Sequence, residues 1–284
     1  MKERIIGLVL AITALAALLA LALITFFIFQ AGLPLIAKVG LPGFLFNTTW
    51  NPTAKEPSFG ILPMIVGSLW VTLGAMVIGV PLGLAVTIFL VDLAPERVSA
   101  FMRPAVQLLA GIPSVVYGFI GLTLLAPLVR NTLGGPGLSV LTGAIVLGIM
   151  ILPTIISISE DAIRSVPPAL RQGALALGAT RWQVIKDIVI PAARSGIIAS
   201  IVLGMGRALG ETMAVIMMIG NSLQLPTSVL DSATTLTSNI GLEMAYASGA
   251  HRQALFATGI VLFIIIMVLN GTTTALVRRG LVRR

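Results

Sequence analysis

Six long apolar stretches dominate this sequence and constrain its fold more than any other feature. They cover residues 5–29, 61–91, 105–129, 138–159, 195–221 and 253–277. A helix needs about 20 apolar residues to cross the hydrocarbon core of a bilayer, and every stretch is that long. Charged residues make up only 10% of the chain, whereas soluble domains carry about 25%. The sequence therefore predicts an all-α, polytopic transmembrane helix bundle of about six spans.

The first apolar stretch follows Lys2 and Arg4, a flank that is also typical of a secretory signal peptide. The apolar run is roughly 25 residues long, well beyond the 7–15 residues of a signal peptide's hydrophobic region. We interpret it as an uncleaved anchor helix. The chain then divides into residues 1–60, an N-terminal anchor helix with an external loop, and residues 61–284, a core of five spans.

Glycine and proline inside the apolar stretches predict local irregularities. Gly79-Val80-Pro81 predicts a tilt or a break in the second span, and Gly111-Ile112-Pro113 interrupts the third. Residues 223–250 fit either a short re-entrant segment or an ordinary external loop. Trp50 is expected at the membrane interface, and His251 is expected to be a solvated loop residue or a docking contact.

Lysine and arginine are distributed unevenly between the two sets of loops, which predicts the orientation of the chain. Thirteen lie in one set: Lys2, Arg4, Arg97, Arg103, Arg164, Arg171, Arg181, Lys186, Arg194, Arg278, Arg279, Arg283 and Arg284. Four lie in the other: Lys38, Lys55, Arg130 and Arg252. Because cytoplasmic loops carry the excess of positive charge, both termini are predicted to be cytoplasmic. The same rule accounts for the net charge of +8 without nucleic acid as a partner.

The longest predicted cytoplasmic loop, residues 160–194, has the pattern of two short helices. Ser165 precedes Val166-Pro167-Pro168, a favourable helix start with proline in the first turn. Gly178 can end this first helix.

The second helix of the loop begins with a capping box, in which Thr180 is the N-cap and Gln183 is the third helical residue. Apolar residues at helical spacing share one face of it: Trp182, Ile185 and Val189. Pro191 is expected to stop the helix. On these patterns alone, the loop is either a compact knob for a cytoplasmic partner or a hairpin that merely links two spans.

The same loop resembles the EAA loop of ABC-importer permeases. The residues that carry the resemblance are Gln172, Gly173, Ala174, Gly178, Ile188 and Pro191. The family pattern is Glu-Ala-Ala, three residues, Gly, nine residues, Ile-x-Leu-Pro, and both gaps match here. Gln172 replaces Glu, Gly173 replaces Ala and Ile190 replaces Leu. The resemblance implies that the loop docks as a coupling helix onto a separate ATPase subunit, which binds the ATP and Mg.

The chain itself shows no ATP-binding loop of the Walker A type. Gly173 and Gly178 have the required glycine spacing, but Ala179 stands where the phosphate-binding lysine is needed. We therefore expect a non-catalytic subunit that binds no cofactor of its own.

Two further segments are similar to the permeases of phosphate (Pst) ABC importers. They are residues 111–118, which read GIPSVVYG, and residues 207–212, which read RALGET. Residues 213–221 and 235–240 are similar to the C-type rather than the A-type subunit. The resemblance runs from about residue 60 to the C-terminus and implies a type I ABC importer permease fold in a bacterial inner membrane. It also implies a heterodimer with an A-type permease, a nucleotide-binding ATPase dimer and an external phosphate-binding protein.

Arg207 and Glu211 place opposite charges inside the fifth span. Arg207 lies about twelve residues into that stretch, roughly 18 Å at 1.5 Å per residue and thus near mid-membrane, where a charge costs about 2.5–3.5 kcal/mol. Arg207 could be a transient phosphate contact on the pathway, since guanidinium matches phosphate oxygens, with Glu211 keeping the binding weak. Alternatively, the i,i+4 spacing could form a structural ion pair. Neutral candidates for anion contact, each of which could instead serve helix packing, are Ser114, Tyr117, Asn221, Thr235 and Asn239.

Two other classes of protein fit the sequence less well. A secondary transporter is disfavoured because the spans hold no series of carboxylates for proton coupling and no internal repeat is evident. A membrane-embedded enzyme is disfavoured because Gly-x-Ser-x-Gly and His-Glu-x-x-His are absent, and a chain with no cysteine and one histidine predicts no metal site. Within the importers, composition does not separate phosphate from other oxyanions.

Overall fold

The computed structural model describes the backbone of residues 2–282 and the side chains of Arg4 and of residues 6–272. Thirteen α-helices are described: α1 (Lys2–Val39), α2 (Leu41–Leu45), α3 (Leu62–Ile88), α4 (Glu96–Gly111), α5 (Ser114–Ile120), α6 (Ala126–Leu133), α7 (Val140–Arg164), α8 (Pro168–Ala176), α9 (Arg181–Gln183), α10 (Ile190–Gly210), α11 (Met213–Met218), α12 (Leu236–Glu243) and α13 (Gly249–Val282). π-Helical segments continue α3, α5 and α9: Phe89–Leu93, Gly121–Leu125 and Val184–Val189. Six helical stretches within the described residues are long and apolar enough to cross a membrane, which confirms the predicted number of spans.

The orientation of the chain stays a prediction. The side chains of Lys2, Arg278 and Arg279 lie outside the described residues, and so do Arg283 and Arg284 altogether. The two ends of the bundle are nevertheless distinct, because α3 begins beside Trp50 and its π-helical end lies beside α8.

Helix α7 lies at the centre of the bundle, and 61% of its most apolar window is buried. Gly79 and Gly83 of α3 face Ile151 and Ile155 of α7 so closely that an added Cβ would lie within 2.7–2.8 Å of them. Gly204 of α10 faces Ile155 from another side. Small residues thus allow three membrane helices to pack at short range, as membrane bundles commonly do.

The second span has no break at Gly79-Val80-Pro81, since α3 continues to Ile88 and then widens into the π-helical segment Phe89–Leu93. Of the two expected alternatives, the break is therefore wrong and the tilt stays a prediction. The close packing of α3 on α7 explains why Pro81 is accommodated within a continuous helix. The interruption of the third stretch is confirmed. Here α4 ends at Gly111 and the membrane-spanning helix starts at Ser114.

Helix α1 extends ten residues beyond the end of the first apolar stretch and includes Pro34. Its second half packs on α13, where Gly32 lies against Ala257 and Ile260. The most apolar window of its first half is entirely exposed in this chain. An exposed face this apolar requires lipid or a second subunit around it.

A carboxylate organises the polar groups at the end of the bundle where α3 begins. Trp50 lies on β1 (Trp50–Asn51), which pairs with β2 (Ser58–Phe59) in an antiparallel hairpin. Glu243 accepts hydrogen bonds from the indole Nε1 of Trp50 at 3.0 and 3.1 Å and from Nδ2 of Asn239 at 3.0 Å. The Nε2 atom of His251 lies 2.6 Å from the Oε2 atom of Glu243. Trp50 and His251 are buried, so the expectation of a solvated histidine is wrong, while the position of Trp50 at the membrane interface stays a prediction.

The physical reason is that Glu243 of α12 joins the hairpin, 193 positions away in sequence, to the start of α13, eight positions away. The hairpin, α12 and the start of α13 all direct a polar side chain to one carboxylate whose side chain is 15% exposed. Residues 223–250 are accordingly more ordered than a plain loop, because they contain α12 and its buried N-terminal residues.

Glu243→Gln should destabilise this end of the bundle. An amide keeps one acceptor but directs its NH2 group at donors, so at least one buried hydrogen bond to a charged group is lost, about 1.5–3 kcal/mol. Thermal unfolding of the purified protein in detergent should show a lower midpoint for this variant. The matched control is Glu56→Gln, which changes an exposed carboxylate in the same hairpin region and should leave the midpoint unchanged. Equal midpoints for the two variants would contradict the organising role of Glu243.

Candidate translocation site and coupling surface

The fifth span is one continuous helix from the α8 end of the bundle to Gly210. α9, the π-helical segment Val184–Val189 and α10 form a helical stretch of 30 residues. Pro191 lies at the start of α10 and does not stop the helix, so that expectation is wrong. A π-helical turn widens the helix just before the proline, where the missing N–H is tolerated.

The helix ends at Gly210, within the stretch that the sequence predicts as one span. Glu211 has an extended backbone (φ −70°, ψ 132°), and α11 resumes at Met213. The Oγ1 atom of Thr237 in α12 donates to the freed carbonyl oxygen of Glu211 at 2.8 Å. Non-helical backbone at membrane depth is tolerated only where protein or a wet cavity supports it, and α12 supplies that support.

The ion pair between Arg207 and Glu211, which was the structural alternative, is absent from the described part of the chain. The helix ends between them, so they no longer share one face. The Glu211 carboxylate turns instead to the start of α11, where its Oε1 atom accepts from the Ala214 N–H at 3.2 Å. The structural alternative for this pair is therefore not realised here.

The guanidinium of Arg207 is exposed and lies in the last turn of α10. Partial negative charge on the terminal carbonyls of a helix favours a cation at that position. Arg207 also lies within electrostatic range of the Tyr117 hydroxyl on α5. The site thus presents a positive charge at a helix break, beside the neighbouring span.

Four of the neutral candidates have internal partners. The Tyr117 hydroxyl donates to the Leu109 carbonyl at 2.9 Å across the break between α4 and α5. Asn221 bonds the Ile216 carbonyl, Thr235 caps α12, and Asn239 bonds Glu243. Each of these four residues therefore has the internal hydrogen bond that the packing interpretation predicts, while contact with an anion stays untested.

The connection that precedes α12 is held by Asp231. Its carboxylate accepts from the backbone N–H groups of Thr227 and Ser228, both at 2.9 Å. These hydrogen bonds, first that of Thr227, lower the pKa of the Asp231 carboxyl below its ordinary value. Its backbone carbonyl accepts from Val140 at the start of α7, so this connection is joined to the central helix.

The loop between α7 and α10 has the predicted two-helix form. α8 starts at Pro168, Gly178 adopts φ +89° directly after it, and Thr180 and Gln183 form the capping box. One detail is wrong, because Trp182 is 58% exposed while Ile185 is buried. The π-helical turn that follows Gln183 changes the helical register, which removes Trp182 from the buried face.

The residues of the EAA-like motif differ in their exposure. Gln172 and Gly173 are exposed on α8, whereas Ala174 packs against the buried cluster beneath it. Ile188 is half-buried in the π-helical segment.

Around this motif, α8, its C-cap residue and α9 expose four large apolar side chains, of which the sequence analysis named only Trp182. They are Leu170, Leu175, Leu177 and Trp182, and we call them the apolar cap. Leu177 is 91% exposed, so almost none of its apolar surface is covered within this chain. Such a patch is typical of a contact surface for another protein.

The sequence analysis also missed Asp92. Its carboxylate forms an ion pair with Arg171 of α8. The two residues are 79 positions apart in sequence, and neither lies in a motif that predicts the other.

The chain belongs to the family of binding-protein-dependent transport system inner membrane components, whose model matches residues 79–280. It is therefore a multi-pass inner-membrane subunit of a transport system. It is 46% identical to the probable ABC transporter permease YqgH of Bacillus subtilis, with 88% of this chain and 83% of that protein covered. It is 40% identical to the phosphate transport system permease PstC of Mesorhizobium japonicum, with 78% of this chain and 74% of that protein covered.

Solved structures of ABC transporters share the fold. A chain of the MetNI methionine transporter in an inward-facing conformation superposes with a TM-score of 0.63 at 18% identity, covering 78% of this chain and 95% of that one. A chain of a bacterial alginate importer gives a TM-score of 0.62 at 20% identity, covering 94% and 95%. The type I ABC importer permease fold is thereby confirmed.

Proposed function

We propose that this chain is the C-type permease subunit of an ATP-driven importer of inorganic phosphate. The observation that carries the proposal is the 40% identity to a phosphate transport permease over 78% of the chain. The exposed guanidinium of Arg207 at a helix break is chemically suited to an oxyanion. A secondary transporter is not favoured, since these relatives and structural neighbours are named as permeases or ABC transporters.

Arg207 would act as a transient contact for phosphate on the pathway. Its planar guanidinium offers two parallel N–H groups to two phosphate oxygens. The terminal carbonyls of α10 and the nearby Glu211 oppose a bound anion, so the contact is weak. Weak contact suits a pathway site, because the ion must leave as readily as it arrives.

The proposed complex contains several partners. An A-type permease forms a heterodimer with this chain across the pathway, within membrane lipid. A dimer of ATPase subunits binds ATP and Mg on the cytoplasmic side, where both termini of this chain lie. A phosphate-binding protein delivers the ion from outside, and a relative in fold is solved with a pentasaccharide-bound periplasmic protein.

The loop of residues 160–194 would be the coupling element. Exposure of the apolar cap costs free energy in water, and docking into a groove of the ATPase would recover it. The residues of the EAA-like motif then give this element its shape, and Gly178 supplies the turn at φ +89°. The motif comprises Gln172, Gly173, Ala174, Gly178, Ile188 and Pro191.

Uptake by the reconstituted complex tests the proposal. The chain is assembled with its companion permease and ATPase in proteoliposomes, with the binding protein outside and Mg-ATP inside. Radiolabelled phosphate should accumulate only when the binding protein and ATP are both present, and excess sulfate should not compete. Accumulation without ATP, or preferential uptake of sulfate, would overturn the assignment.

Arg207→Gln should reduce phosphate uptake by at least about tenfold, because a charge-assisted hydrogen bond contributes roughly 1.5–3 kcal/mol. The complex should still assemble and hydrolyse ATP. The matched control is Arg252→Gln, which removes an exposed arginine at the start of α13 and should leave uptake unchanged.

Normal uptake by Arg207→Gln would reject the pathway role. Restoration of uptake when Glu211→Gln is added would instead show that the two residues pair in another transport state.

Leu177→Asp should weaken attachment of the ATPase. It replaces the most exposed part of the apolar cap with a charge, which forfeits about 1.5–3 kcal/mol of burial. ATPase recovered with the affinity-purified permeases should fall by roughly tenfold or more. Leu225→Asp, the same change at an exposed leucine outside the loop, is the control. ATPase recovery that is equal for both variants would show that the cap is not the docking surface.

A further inference from the structure

Helix α8 makes its polar contacts with the membrane helices through one side chain, that of Arg171. None of its residues is fully buried, so ordinary packing attaches it weakly. Arg171 adds polar contacts to two different membrane helices. Its Nη1 atom pairs with Oδ1 of Asp92, and its Nη2 atom donates to the Ile163 carbonyl of α7 at 3.0 Å.

The Asp92 side of this contact is deeply set. Its side chain is 7% exposed and lies in the π-helical end of α3. Its second oxygen, Oδ2, is buried and has no hydrogen-bond partner among the described residues. An open cleft of about 140 Å³, which Asp92, Arg171 and Arg181 line, lies beside it. Loss of the Arg171 charge would leave a buried carboxylate uncompensated, which is strongly unfavourable.

The helix that carries Asp92 leads directly to the packed centre of the bundle. Gly79 and Gly83 of α3 contact Ile151 and Ile155 of α7, and Gly204 of α10 contacts Ile155 as well. α10 ends in the turn that bears Arg207. A displacement of α8 can therefore pass through Asp92 to α3 and reach the helix of the proposed pathway site.

The two halves of the loop are connected differently. α9 continues without interruption into α10, so its movement enters the membrane through the backbone. α8 is separated from α7 by Ser165, Val166 and Pro167. α8 therefore has no continuous helical connection to α7 through which its movement could pass.

We propose that the Arg171–Asp92 ion pair is the mechanical joint that makes α3 follow α8 during the transport cycle. Arg171 is a positioning residue, distinct from the residues that dock the ATPase. This inference rests on the proposed role of α8 as part of the coupling element.

The first experiment compares Arg171→Gln and Asp92→Asn with Arg164→Gln in the reconstituted complex. Arg164 is a matched control, because its ion pair with Glu160 lies within α7. In the first two variants, ATP hydrolysed per phosphate transported should rise by at least about tenfold, within the range of allosteric coupling factors. The control should keep the wild-type ratio. A wild-type ratio in assembled Arg171→Gln and Asp92→Asn complexes would overturn the proposal.

A second readout does not depend on the identity of the substrate. The chain has no cysteine, so Leu203→Cys places a single thiol on the face of α10 one turn before Arg207, at a position that is 54% exposed. With cysteine-free partners, ATP plus vanadate should change the rate at which this thiol reacts with a water-soluble maleimide. Adding Arg171→Gln should abolish the change. A change that persists would refute the joint, whereas a wild-type complex that fails to import phosphate would refute only the proposed substrate.

A reversible cross-link separates the joint from a mere contribution to folding. In Asp92→Cys/Arg171→Cys, a bifunctional methanethiosulfonate replaces the ion pair with a covalent bridge. Coupling should be lost in the untreated protein, return on cross-linking and be lost again on reduction. A cross-link that forms without restoring coupling would overturn the proposal, as would a complex that cannot assemble without the ion pair.

Discussion

Polar groups in a lipid-facing bundle must find partners within the protein, and the structure is arranged around that requirement. Water is not available to compensate a free carbonyl or a charge in the hydrocarbon region. The break after Gly210 is possible because Thr237 donates to the freed Glu211 carbonyl. The same requirement gathers Trp50, Asn239 and His251 around Glu243.

This requirement also explains how a charge can be exposed at the proposed pathway. Arg207 lies in the final turn of α10, where helix carbonyls favour a cation. Glu211 is occupied with the start of α11. The guanidinium is therefore stabilised by the helix end rather than by a neighbouring carboxylate, and it stays available to an anion.

The coupling element shows a second consequence. A contiguous apolar patch on a protein surface is typical of a contact surface for another protein, and the apolar cap around Leu177 fits that description. The buried Arg171–Asp92 pair then connects this surface to α3. In the proposed function, the apolar cap of both short helices docks the ATPase, and Arg171 of α8 transmits the movement.

The sequence by itself determined the class of structure. Six apolar stretches require membrane-spanning helices, and local signals set the loop: proline at the start of α8, glycine at φ +89° and the capping box at Thr180. These features depend on neighbouring residues, so pattern alone predicts them. The position of Arg207 within the fifth apolar stretch also marked it as a charge inside a span.

Only the tertiary structure decided which polar groups meet. An i,i+4 ion pair between Arg207 and Glu211 requires one continuous helix, but the helix ends between them. The break is possible because Thr237 of α12, 26 positions away, donates to the freed carbonyl of Glu211. Pro81 and Pro191 leave their helices continuous, since close packing and a π-helical turn accommodate them. Asp92 finds Arg171 across 79 positions. Contacts between distant segments depend on how the helices pack against each other, and local sequence patterns do not predict that packing.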